Sequence, residues 1–219
     1  MSAARARDKM IGKVKPLCLA AALVFCGASG ARGGAPQARP QPPLSLTAEV
    51  VGRRYCAGDK LNILQLSIRL RYQNAGGRRL IVYRGKNFFY QTKVRGGGGA
   101  SRPYEVVVTN SRFNDAQAED VGGRRPGGAF VTLAPGATYE TTIVVGVGVT
   151  PGGSERLPNS IAPGEHTLQI IVSSWYESRK LAEELRGRWQ GAGLLWIDPV
   201  ATEPLKFVAG GEAPAAACR

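Results

Sequence analysis

The sequence predicts an all-β domain, and three observations predict it. Apolar and polar residues alternate at period two over much of the chain, the pattern of strands with one buried face. Pro-Gly pairs at 135–136 and 163–164 punctuate that alternation, because proline presets φ at the second turn position and glycine accepts a positive φ at the third. The 219 residues include 29 glycines and 14 prolines, a composition that suits short strands joined by tight turns.

The clearest strand is residues 64–72, where Leu64, Leu66, Ile68, Leu70 and Tyr72 would face a core and Gln65, Ser67, Arg69 and Arg71 would face water. Residues 74–77, Asn-Ala-Gly-Gly, tolerate positive φ, and residues 80–83 follow, so the two runs are expected to form a hairpin. Phe88, Tyr90 and Val94 then alternate with Phe89, Gln91 and Lys93. The glycines at 96–99 form a flexible loop before a further strand at 104–109. Residues 110–128 carry no periodicity and read as a long loop. Strands follow at 130–133, along Tyr139, Thr141, Ile143, Val145, Val147 and Val149, at 166–172, and at 205–208. Residues 177–190 break the pattern: Leu181, Leu185 and Trp189 recur every four residues among charged neighbours, which makes an amphipathic helix. Ser174 with Glu177 resembles a capping box, and Gly191 and Gly193 suit the helix end. No internal repeat is apparent. About nine strands with one amphipathic helix near the C-terminus predict an immunoglobulin-like β-sandwich rather than a barrel.

The N-terminal residues 1–30 read as a secretory signal peptide: a basic start, the apolar run from Pro16 to Ala28, then the small residues from Ala28 to Ala31. That run is too short to span a bilayer, and no later segment is longer. Phe25 directly precedes Cys26, where a lipidation motif calls for a small residue, so a lipoprotein anchored at Cys26 is not expected. Residues 31–44 form a Pro/Gly/Arg-rich linker, 45–209 the sandwich domain, and 210–219 a flexible tail. Removing the leader leaves Cys56 and Cys218, and in an oxidising compartment two cysteines most simply form one disulfide. The expected address is secreted or periplasmic.

The formal net charge is +13, and it is concentrated. Twelve basic residues lie between Arg69 and Arg125 against four acids, Glu105, Asp115, Glu119 and Asp120. Such a region is either a solvated face or a surface that attracts polyanions through a salt-dependent field. The polyanion-binding candidates are Arg69, Arg71, Arg78, Arg79, Arg84, Lys86, Lys93 and Arg95. Nucleic acid is not expected as a partner in an exported compartment, and Tyr83, Phe88, Phe89 and Tyr90 are read as core rather than as stacking platforms.

The residues for several chemistries are missing. His166 is the sole histidine, so no second imidazole can join it on a zinc ion. Met1 and Met10 both lie in the leader, which argues against a copper(I) carrier. No Gly-x-Ser-x-Gly elbow or Ser-x-x-Lys motif occurs. Gly146-Val-Gly148 lacks the third glycine and the helix of a phosphate loop, and marks instead a bulge or close backbone approach. Glu165, Asp198 and Glu203 are the acids to test for acid–base work, with no pairing evident between them. No catalytic site, cofactor or metal is expected.

Residues 66–76, 163–175 and 193–199 resemble a group of uncharacterised secreted bacterial β-sandwich proteins of Ig-like type, over about residues 45–209. The order "Asn-x-Gly, then Pro-Gly before a strand" is also similar to Ig-like proteinase-inhibitor and adhesion modules. The resemblance implies a sandwich and no activity. The expected function is therefore a non-catalytic binding or structural module of the cell envelope, with an envelope protein or a polyanion as partner. The alternatives are an anionic-surface binder using residues 69–125, and a hydrolase with an unrecognised site.

Overall fold

The computed structural model of the chain describes residues 42–84, 89–96, 104–110, 121–152, 156–173 and 178–215. The expected leader and most of the expected linker lie outside them.

Strict alternation lays three long strands side by side. In β2 (Asn62–Asn74), Leu64, Leu66, Ile68, Leu70 and Tyr72 are buried while Arg69 and Arg71 are exposed. β1 (Leu44–Cys56) runs antiparallel along one edge of β2, and β7 (Thr138–Val149) along the other. The chain thus enters the sheet at Leu44, which was expected to end the linker and is instead fully buried. β8 (Ser160–Ile161) extends the sheet by pairing parallel with the end of β7.

The second sheet is centred on β9 (Gly164–Ser173), which pairs on one side with β4 (Phe89–Gly96) and on the other with β11 (Val200–Ala201) and β12 (Leu205–Ala209). β5 (Glu105–Asn110) flanks β4. Leu66, Ile68, Leu70, Val145 and Val147 from the first sheet share one core with Val94, Leu168, Ile170 and Val172 from the second. This is the expected all-β sandwich. Each such aliphatic side chain contributes about 1.5–3 kcal/mol by leaving water. Tyr72 lies in this core 5.9 Å from the Tyr139 ring. Burial, with a smaller contribution from Tyr139, pushes its phenol well above the ordinary tyrosine range.

The expected hairpin between residues 64–72 and 80–83 does not form. β3 (Leu80–Tyr83) pairs with β6 (Phe130–Leu133) and, in parallel, with β10 (Leu194–Leu195), making a third sheet. The buried Asn74 side chain explains the departure. Its Nδ2 donates to the carbonyls of Arg78 (2.7 Å) and Leu133 (3.0 Å), and its Oδ1 accepts from Gly76 N at 3.0 Å. The turn is folded around this amide, which sends the chain from one sheet into another. β3 is buried on both faces: Leu80 and Val82 join the main core, whereas Ile81 and Tyr83 pack in a second cluster with Phe130, Ala182, Leu185 and Trp189.

That second cluster is capped by α1 (Arg179–Arg188), shorter than the expected 177–190. Leu185 and Trp189 are buried, as their four-residue spacing predicts. The helix cap is Ser178, whose backbone is extended and whose Oγ accepts from the Leu181 amide at 3.1 Å. The Ser174–Glu177 box lies outside the described residues.

Further departures are local. Twelve strands are described instead of about nine, and β8, β10 and β11 are two residues each, too short to register as a periodic pattern. β7 pairs with β2 in unbroken register through Gly146 and Gly148, so neither marks a bulge; the register shift lies in β1, between Val50 and Gly52. Gly148 does mark a close approach, since a Cβ there would lie 3.1 Å from Leu61 Cδ1. Within the expected loop 110–128, residues 121–122 are helical and 111–120 lie outside the described residues. The turn at Pro135-Gly136 forms as expected, with Gly136 at φ +77°.

The C-terminal tail is not loose over its described part. Ala57 N donates to Ala215 O at 2.9 Å and Ala215 N to Tyr55 O at 2.8 Å, and Arg53 donates to Gly210 O at 3.3 Å. No helix among the described residues is long and apolar enough to cross a membrane.

Candidate functional site

The basic candidates separate into regions of different chemistry. Arg69 and Arg71 stand on the outer face of β2, where each meets an acid from a neighbouring strand: Arg69 lies 3.4 Å from Glu49 of β1, and Arg71 3.7 Å from Glu140 of β7. The strand registers place these partners, because Glu49 is directly opposite Arg69 and Glu140 directly opposite Arg71. Lys93 and Arg95, on β4, both reach Glu105 of β5, at 4.0 and 3.9 Å. Four of the twelve basic residues counted between residues 69 and 125 therefore lie beside three carboxylates.

Among the described residues, Arg78, Arg79 and Arg84 meet no acid. Arg79, immediately before β3, lines a hollow of about 880 Å³ with Arg124 and Arg125 from the segment before β6 and with Arg188 from the end of α1. Its other described walls are Pro126, Thr132, Ala134, Gly191 and Ala192, so no acidic and no aromatic residue is among them. A second hollow of about 400 Å³ shares Arg79, Gly191 and Ala192 with the first and adds Arg78. Together they form one trough with five guanidinium groups. Among the described residues, the side chains of Arg78, Arg79, Arg124 and Arg125 form no ion pair or hydrogen bond, and all four are exposed.

The trough is held by its frame. Arg188 Nη1 donates to Val121 O at 2.7 Å, and Trp189 Nε1 donates to Gly123 O at 3.0 Å. At the far end of the same segment, Arg84 Nε donates to Gly128 O at 3.2 Å and its amide to Ala129 O at 2.7 Å. Trp189 itself is fully buried, with Phe130 at 4.9 Å edge-on. The opposite wall is fixed by Asn74 and by the β3–β10 pairing, where Leu194 N donates to Arg79 O at 2.8 Å. A side chain at Gly193 would put its Cβ 2.9 Å from that same carbonyl, so only glycine permits this approach.

Helix-terminal arginines also have an ordinary use, since they complement the negative end of the helix dipole. Arg186 answers to that description, with its Nε donating to Leu195 O at 3.1 Å. Arg188 serves the frame through Val121. Arg78, Arg79, Arg124 and Arg125 do neither.

Of the sequence candidates, then, the structure brings Arg78 and Arg79 to the trough, leaves Arg69, Arg71, Lys93 and Arg95 in ion pairs, and uses Arg84 as a strut. Lys86 lies outside the described residues, as do Phe88 and the side chains of Phe89 and Tyr90; Tyr83 is core, 2% exposed. Arg124 and Arg125 fall within the basic region but are not among its named candidates, and Arg188 is one of the charged neighbours of the helix's apolar stripe. A signal for the first two did exist. The tetrapeptide Gly-Gly-Arg-Arg stands at 76–79 and at 122–125, and the arginines of both stretches line the same trough.

The catalytic candidates do not converge. His166 is buried, with Nε2 2.7 Å from Ala162 O and its ring between those of Tyr104 (6.2 Å) and Phe207 (5.5 Å). The carbonyl fixes the tautomer with the proton on Nε2, and Nδ1 finds no partner among the described residues. Tyr104 is held in turn by Arg156, 4.4 Å above its ring, and by the Ala162 amide at 2.8 Å. Glu165 lines a hollow of about 300 Å³ beside His166, whereas Asp198 and Glu203 are not among its described walls. Among the described residues, no group of three His, Cys, Asp or Glu side chains is placed to hold a metal ion. Cys218 lies outside the described residues.

No family model matches this sequence, and no curated protein does. Among solved structures, the chain is similar to the "Putative ApaA Protein from Bordetella pertussis" at 15% identity, over 78% of this chain and 98% of that one, with a TM-score of 0.32. A likeness at that level carries no argument about fold or function.

Proposed function

We propose that this chain is an exported, non-catalytic binding module of the cell envelope, and that its ligand is anionic and occupies the arginine trough. The observation that carries the reading is the convergence of Arg79, Arg124, Arg125 and Arg188 on one hollow whose described walls contain no acid. The exposed Arg69, Arg71 and Arg95 lie beside carboxylates; here like charges gather, a costly arrangement in the absence of a counter-ion. Guanidinium forks suit phosphate and carboxylate groups, which they grip with two parallel hydrogen bonds.

The test is a titration of the intact protein with an anionic polymer, comparing Arg79→Gln/Arg125→Gln with Arg69→Gln/Arg71→Gln. The first pair should lower affinity about tenfold or more for each charge-assisted contact removed. The second pair should leave it unchanged. Equal losses in both would mean diffuse attraction to a basic protein and would overturn the trough as the site.

We also propose that Cys56 pairs with Cys218. Cys56 is a buried half-cystine, and Ala215, three residues before Cys218, is hydrogen-bonded across it. Such a bond closes a loop over most of the domain and would contribute up to about 5 kcal/mol. It also agrees with an oxidising, exported address. Thiol labelling of the unreduced, denatured protein should leave both cysteines unmodified; labelling of Cys218 alone would assign Cys56 another partner.

A further inference from the structure

Resting on the trough as an anion site, we infer that its ligand is a linear chain of phosphate groups without rings, lying along both hollows at once. Three features of the site carry this.

The first is length. The two hollows share Arg79, Gly191 and Ala192, so they adjoin, with Arg124, Arg125 and Arg188 lining one of them, Arg78 the other and Arg79 both. A single small anion engages one or two forks and leaves the remaining cations facing each other. A chain with a charge at every repeat meets all of them.

The second is the character of the walls. Between the arginines the described lining is glycine, alanine, proline, threonine, glutamine and the Leu194 side of β10, with no aromatic ring. Proteins that hold single-stranded nucleic acid stack its bases on aromatic rings. The trough offers charge and backbone and no platform, so what it recognises is the charged backbone of the ligand.

The third is direction. Arg79 approaches from the β3 side, while Arg124 and Arg125 approach from a segment hung under α1 by the Arg188–Val121 and Trp189–Gly123 hydrogen bonds. A tetrahedral phosphate presents oxygens to both walls. A carboxylate presents two oxygens in one plane and is matched by one fork. Those hydrogen bonds tie the segment backbone to the helix, so the ordering cost of binding falls on the exposed arginine side chains.

The experiment is a competition titration of the intact protein with orthophosphate, short and long inorganic polyphosphate, a poly(glycerol phosphate), heparin and single-stranded DNA, repeated with Arg79→Gln/Arg125→Gln. Affinity should climb with phosphate chain length until the trough is filled. With about four neutralised phosphates, it should fall roughly 50-fold between 50 and 200 mM salt. The double variant should flatten both trends. Inorganic polyphosphate and poly(glycerol phosphate) share the recognised chemistry, and the tighter of the two names the source. If orthophosphate binds as well as the chain, the extended ligand is overturned and the anion site stands. If heparin or DNA matches polyphosphate at equal charge, the ring-free ligand is overturned and the anion site again stands. If no anion shows dependence on Arg79 and Arg125, both readings fall together.

Discussion

Two arginine pairs in this chain sit in opposite electrostatic settings. Arg69 and Arg71 project from the middle of β2, one strand away on either side from Glu49 and Glu140. Arg78 and Arg79 sit just beyond the end of the same strand, and the neighbours that the fold gives them are more arginines. The difference comes from what each pair is attached to. Within a regular antiparallel sheet, register sets every cross-strand neighbour, and opposite charges there are mildly stabilising. At a sheet crossing, the neighbours arrive from distant chain segments, and nothing in the sheet compels them to carry the complementary charge.

The largest effect expected from breaking this contrast comes from Trp189→Ala. It removes the centre of the second core and the hydrogen bond to Gly123, and should cost about 3–5 kcal/mol in denaturant unfolding while abolishing anion binding. A cost below about 1 kcal/mol would show that the segment bearing Arg124 and Arg125 is held by something else. Asn74→Ala comes next. It strands the carbonyls of Arg78 and Leu133 and the amide of Gly76, for about 2–4 kcal/mol, and should weaken anion binding through the displaced Arg79 wall. Loss of stability with undiminished binding would mean that the turn does not position the arginines.

The smallest effect sharpens the contrast from the other side. Glu49→Gln with Glu140→Gln should change stability by less than about 0.5 kcal/mol, because the ion pairs are exposed. Freed of their partners, Arg69 and Arg71 should then attract polyanions weakly and only at low salt, where screening is slight. High-salt binding at the new patch would show that bare arginines suffice without a frame.

Much of the fold was legible beforehand. The buried and exposed positions of β2 and β7 follow from period-two alternation, and the burial of Leu185 and Trp189 from their helical spacing. Less of the site was legible. Charge counting flagged residues 69–125 as basic, yet it treated the paired Arg69 and the unpaired Arg79 alike, and it passed over Arg188, which lies 63 positions after Arg125. The Gly-Gly-Arg-Arg stretches were the local clue, and they acquire meaning only once their arginines are known to line the same trough.

The sequence by itself determined which faces of β2 and β7 are wet, where the helix runs and how much positive charge the chain carries, because these depend on composition and on residues a few positions apart. Only the tertiary structure decided that β3 leaves the sheet of β2, that Ala215 returns to Cys56, and that arginines from three distant segments share one trough. Those outcomes rest on strand register, on the three hydrogen bonds of a single buried asparagine, and on a tryptophan whose indole N–H reaches a carbonyl 66 residues earlier. Interactions between segments so far apart in the chain leave no periodic trace in the order of residues.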